Sequence, residues 1–143
     1  MAFTAQDVKT LREMTNVGMM DCKKALQATD GDMEKAVDWL REKGLAKAAK
    51  KAGRIAAEGM AYADVCPDCG VGAMVEVNCE TDFCAKSEAF VAFVKDICKV
   101  VMCDDPKDVD ALLQCKYPDR DLTVAEILPE KVMSIGENLQ IRR

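Results

Sequence analysis

An α+β fold is predicted by three observations. Three short amphipathic helical patterns fill roughly the first 45 residues, an alternating apolar hairpin follows, and one strongly amphipathic helix comes after it. Together they specify an N-terminal three-helix module, a linker helix, and then a small antiparallel three-stranded sheet packed with helices. The boundary is expected near residue 54, giving units 1–54 and 55–143.

The elements follow in order. Thr4 and Asp7 form a capping box ahead of Val8, Leu11 and Met14 at helical spacing. Thr15 to Met20 breaks that pattern, and Gly18 marks a tight turn. A second helix is expected over Asp21–Thr29. Asp30-Gly31-Asp32 turns the chain, and Asp32 caps a third helix with the stripe Met33, Ala36, Val37, Leu40 and Gly44 as its stop. Leu45–Glu58, with Lys47, Lys50, Lys51 and Arg54, reads as a separate linker helix with a basic, solvated outer face. Strands are expected over Met60–Val65 and Val71–Cys79, with Val71, Ala73, Val75, Val77 and Cys79 on one face. Phe90, Phe93, Val94, Ile97, Cys98 and Val101 form a helical stripe. A short helix over Val109–Cys115 and a helix over Leu122–Ile135, bent or divided by Pro129, come next. Leu139–Arg142 alternates as a third strand. That strand stops at Arg143 and leaves a small sheet wanting cover, so a truncated protein or a domain that pairs with a second copy through the sheet is expected.

Composition narrows the function. The chain has 143 residues, 50% of them apolar, enough for one compact domain or one with a small appendage. A net charge of −5 disfavours general nucleic-acid binding. No apolar run approaches the ~20 residues of a membrane span, and the N-terminus lacks a signal-peptide pattern. A cytoplasmic location follows, and most of the eight cysteines then read as small buried hydrophobes kept reduced.

Two constellations carry chemistry. At the end of the second strand, Thr81-Asp82-Phe83 places an acid beside a large aromatic just before a helix. With no histidine in the chain and no nucleophile–base couple around the pair, catalysis is not expected. A probe pushed into another protein is. The bland alternative is Asp82 as a helix N-cap followed by a core Phe83. The second constellation, Cys66-Pro67-Asp68-Cys69-Gly70, has the spacing of a zinc-ribbon knuckle. Cys79 and Cys84 could nominally complete it, but a strand rising ~3.3 Å per residue puts them about 20 Å or more away. Cys66 and Cys69 therefore stand as metal candidates only through a zinc shared between two hairpin tips, and no other cofactor is expected. A redox role is disfavoured because the motif does not open a helix.

Several segments, in order, resemble bacterial elongation factor Ts. Thr15-Asn16-Val17-Gly18-Met19-Met20-Asp21-Cys22-Lys23-Lys24-Ala25-Leu26 is similar to that family's first signature. Lys47–Arg54 is similar to its linker. Glu76-Val77-Asn78-Cys79-Glu80-Thr81-Asp82-Phe83-Cys84-Ala85 is similar to its second signature, with Cys84 where the family usually has Val. Ile135-Gly136-Glu137-Asn138 is similar to a third. The resemblance implies that the helical module is ubiquitin-associated-like and that the protein is a translation elongation factor, exchanging guanine nucleotide on elongation factor Tu. Asp82 and Phe83, with Thr81 beside them, would enter the partner's GTPase domain. Met19 and Met20, with Arg12 nearby, would dock the helical module on that same domain, although one of two adjacent methionines ordinarily faces inward. The alternatives are a partner-binding helical module with an inert truncated core, or a zinc-stabilised structural domain.

Overall fold

The computed structural model describes residues 3–143, and in it local capping rules set the helix boundaries. α1 (Ala5–Thr15) starts at a complete capping box. Thr4 accepts from the Asp7 backbone N–H, and the Asp7 carboxylate accepts from the Thr4 N–H at 2.7 Å. Val8 and Leu11 are buried, but Met14, in the last turn before the left-handed Asn16 cap, is exposed. α2 (Met19–Ala28) begins two residues earlier than expected, immediately after Gly18.

α3 (Met33–Lys51) is capped by Asp32 and runs through Gly44 without a break. Gly44 is therefore not a helix stop, and Leu45–Glu58 is not a separate linker helix. The physical reason lies in packing. α3 packs here along the later helix that carries Pro129 and Met133, and a Cβ built on Gly44 would sit 3.6 Å from both the Pro129 carbonyl oxygen and the Met133 sulfur, an ordinary contact distance, so the helix runs on through a position that does not require glycine. The helix ends at Lys51, and residues 55–57, without regular structure, lead into the sheet.

β1 (Glu58–Cys66) and β2 (Val71–Cys79) pair antiparallel, from Glu58 opposite Cys79 to Cys66 opposite Val71. β3 (Gln140–Ile141) adds to the other side of β2, giving the order β1-β2-β3. Gly59, at φ +148°, lies where any Cβ would collide with the Val77 carbonyl, so only glycine permits this close approach. α4 (Asp82–Lys86) is a single short turn after β2. α5 (Glu88–Asp104) lays Phe90, Phe93, Val94 and Ile97 on Val75 and Val77. Val100 is fully buried while Val101 is only half-buried, so the stripe rotates at its end. α6 (Val109–Gln114) and α7 (Val124–Ile135) complete the layer, and α7 stays one helix with Pro129 inside it. Of the five residues expected on the buried strand face, Val75, Val77 and Cys79 are buried, Ala73 is half-buried and Val71 is exposed. The outer half of the hairpin thus projects into solvent. The fold is α+β, with seven helices and one antiparallel sheet among the described residues.

Two apolar cores result. Leu11, Cys22, Ala25, Leu26, Ala36 and Leu40 form the first, and the sheet with α5 to α7 forms the second. α3 joins them. Its early turns fill the first core, Ala48 packs on the second, and Met133 of α7 reaches back to the first. Among the described residues no helix is long and apolar enough to cross a membrane.

Candidate functional site

The exit from β2 is a tightly hydrogen-bonded corner. Thr81, not Asp82, is the N-cap of α4, and its hydroxyl accepts from the Cys84 N–H at 3.2 Å. Asp82 is the first helical residue, its carboxylate turned to solvent and 3.6 Å from the Lys86 ammonium. Phe83 is 86% exposed, so the alternative of a core phenylalanine does not hold. The short helix presents only one face to the core, and Cys84 takes that face.

What fixes the corner comes from the far end of the chain. The Glu137 carboxylate accepts from the backbone N–H groups of Glu80 (2.9 Å) and Thr81 (3.0 Å) and from the Thr81 hydroxyl (2.6 Å). Glu80 answers by accepting from the Asn138 N–H at 2.7 Å and pairing with Arg54 at 3.5 Å. Asn138 in turn donates its side-chain amide to the Arg54 carbonyl. Glu137 reaches this position because Gly136, at φ +92°, ends α7 in the left-handed conformation. Burial pushes the Glu137 carboxyl up, but the Thr81 hydroxyl and the two N–H groups outweigh it and hold the acid below its usual range. Sequence reasoning did not select Glu137 as a site residue. The only signal was the Gly136-Glu137-Asn138 segment.

Cys79, Cys84 and Glu137 bring one ligand atom each within 4.8 Å of one another. Burial pushes both thiols up, so they stay protonated, and both carboxylate oxygens of Glu137 already accept hydrogen bonds. The trio fits a buried hydrogen-bonded support for the corner rather than a metal cage. Of the eight cysteines, Cys22, Cys79, Cys84 and Cys98 are buried, whereas Cys69 and Cys103 are exposed and Cys66 and Cys115 half-buried. The expectation that most are buried therefore holds only for half of them.

A second set of candidates lies on the helical module. Met19 and Met20 are 49% and 65% exposed, so neither faces inward. With Phe3, Val8 and Lys23 they line a shallow apolar groove. Arg12 is exposed in the last turn of α1 and does not line that groove. The structure thus gathers Thr81, Asp82 and Phe83 at one corner, and Met19 and Met20 at a groove on a different element. Three of the four cations expected on the basic face are used within the molecule, and Lys50 is exposed. Lys47 pairs with Asp21 at 2.7 Å, Lys51 donates to the Gly136 carbonyl, and Arg54, beyond the end of α3, meets Glu80.

Residues 80–143 match the family model described as Elongation factor TS. The chain is 56% identical over 141 residues to Elongation factor Ts of Clostridium novyi (strain NT), covering 98% of this chain and 46% of that protein. It is 55% identical over 140 residues to the Clostridioides difficile (strain 630) protein of the same name, with 98% and 46% covered. For Elongation factor Ts of Alkalilimnicola ehrlichii, the identity is 50% over 143 residues, with 100% of this chain and 48% of that protein covered. The chain spans about half the length of the curated relatives it matches.

Proposed function

The chain belongs to the elongation factor Ts family, and from that premise we propose that it is a non-enzymatic guanine-nucleotide exchange factor acting on elongation factor Tu in the cytoplasm. The observation that carries the reading is Phe83, a phenyl ring 86% exposed on a corner held rigid by three hydrogen bonds to Glu137. An exposed ring on a flexible loop would lose much of its binding energy in ordering. Here the corner is ordered beforehand.

Bound GDP is held mostly through its phosphates and a Mg²⁺ ion. Phe83 enters an apolar slot of the GTPase domain and displaces the segments that hold phosphate and metal. Asp82 steers the ring and competes for hydrogen-bond donors there. No covalent bond is made or broken by the factor. The partner conformation that takes Phe83 binds nucleotide poorly, so factor and nucleotide weaken one another's binding by the same factor. The Met19–Met20 groove supplies a second, adaptable apolar contact.

The test is release of labelled GDP from elongation factor Tu. Asp82→Ala with Phe83→Ala should return release to the unstimulated rate while the variant keeps its melting temperature. Undiminished stimulation would remove the corner from the mechanism. A wild-type chain that forms a complex without speeding release would instead assign the chain to docking alone.

A further inference from the structure

Two thiols lie beneath the phenyl corner, and the exchange reading uses neither. We propose that Cys79 and Cys84 are an oxidisable pair, which hydrogen peroxide joins into a disulfide that displaces the corner. The effect on nucleotide exchange rests on the function proposed above, whereas the bond and the displacement do not.

Topology makes the pair. Cys79 ends β2 and Cys84 is the third residue of α4, so Glu80, Thr81, Asp82 and Phe83 are all that separates them. The chain turns at this corner, and both side chains enter the same apolar core. Their sulfurs lie within 4.8 Å of each other and of a Glu137 carboxylate oxygen. A disulfide holds its sulfurs about 2.05 Å apart, so joining them takes an approach of at most about 3 Å.

That approach disturbs what fixes the corner. The Cys79 thiol donates to the Thr81 carbonyl at 3.2 Å, and a disulfide has no proton to give. The Cys84 N–H donates to the Thr81 hydroxyl, the cap of α4, and drawing Cys84 toward Cys79 pulls on that cap. Glu137 touches the same sulfurs while it accepts from the Glu80 and Thr81 N–H groups. Phe83 precedes Cys84 in the same short helix and moves with it.

Both thiols are buried, so the reduced corner is the resting state. Peroxide reaches them when α4, a helix of only five residues, opens locally. One sulfur attacks the peroxide O–O bond, which breaks to leave a sulfenic acid and one water. The other sulfur displaces the hydroxyl, which departs as a second water with the remaining thiol proton. The two sulfurs together lose two electrons, one peroxide becomes two waters, and a dithiol reverses the bond.

The test treats the reduced full chain with hydrogen peroxide. Disulfide mapping by mass spectrometry follows the pair, and amide hydrogen exchange by NMR follows the corner. The expected result is a peptide holding both cysteines, closed to alkylation and lighter by two hydrogen atoms than its reduced form. The Glu80 and Thr81 N–H groups should exchange about tenfold faster, as for the loss of one charge-assisted hydrogen bond, and a dithiol should restore them. In Cys84→Val, or in Cys84→Ala should the larger side chain disturb the core, peroxide should leave both N–H groups as they were. Both variants keep Cys66, Cys69 and Cys103, so oxidation elsewhere is controlled. Stimulated GDP release should fall in the oxidised wild type, and in either variant should hold at that variant's own untreated rate. Free Cys79 and Cys84 after peroxide, a disulfide that leaves both N–H groups equally protected, or an oxidised chain that still drives release at the reduced rate would each overturn the proposal. A chain that never speeds release, even reduced, refutes the exchange reading instead, and the mapping and amide exchange still decide this one.

Discussion

Replacing Glu137 tests whether the corner is held from a distance. In Glu137→Ala three acceptor contacts vanish, to Glu80 N, Thr81 N and Thr81 Oγ1. A hydrogen bond to a charged acceptor contributes a net ~1.5–3 kcal/mol when buried. This carboxylate is only half-buried, so water recovers part of each, and a total of about 2–4 kcal/mol is expected. For a chain of this length that lowers the melting temperature by roughly 10 °C. The pH profile supplies a second reading. Because the folded-state acid is held below its ordinary value of 4.5, its contribution is fully present above that value and is lost as pH falls through the folded pKa. The wild type should therefore lose this increment of stability below about pH 4.5, and Glu137→Gln should lack that increment at every pH. Thermal melts from pH 3 to pH 7 would show both effects. A melting temperature within about 2 °C of wild type, with an unchanged acid limb, would mean that solvent replaces Glu137 fully and that the corner holds itself.

Phe83→Ala should leave stability within about 0.5 kcal/mol, because the ring is exposed. Burying about 150 Å² of that ring in a partner is worth roughly 3–4 kcal/mol, so affinity for elongation factor Tu should fall several-hundredfold by calorimetry. Gly44→Ala should raise the melting temperature by a few degrees. The added methyl meets neighbours at ordinary contact distance, and helix propensity improves by ~1 kcal/mol. Gly59→Ala should act in the opposite sense, costing at least ~2 kcal/mol in denaturant melts, since both its φ and the Val77 carbonyl reject a Cβ.

The sequence revealed those parts of the fold that obey local rules. Thr4 with Asp7, Asp32, and the Phe90 to Cys98 stripe each fix an element through contacts within a few residues, and the structure matches them. The hairpin itself followed from period-two alternation on either side of a turn, although β1 runs two residues earlier and one later than the expected Met60–Val65. Gly44 misled because a glycine late in a helical pattern signals a stop, whereas here packing against α7, 85 positions later at Pro129, carries the helix past it. Asp82 was a plausible cap until Thr81, one residue earlier, was seen to take that position. Glu137 could not be ranked from sequence at all, since its three partners lie more than fifty residues upstream. The exposure of Phe83 was expected from the acid–aromatic pair at a strand end and from the family resemblance, not from periodicity, which a five-residue helix is too short to show.

The unbroken run of α3 through both cores, clamped at Gly44 and Ala48, makes the molecule a stiff caliper. On the function proposed above, the methionine groove and the phenyl corner would be its two jaws, keeping a set span before any encounter. Once one jaw has closed on a partner, the other is confined within reach of its target at a high effective concentration. Two weak grips then act as one strong grip, and lengthening or hinging that helix would uncouple them without touching either jaw.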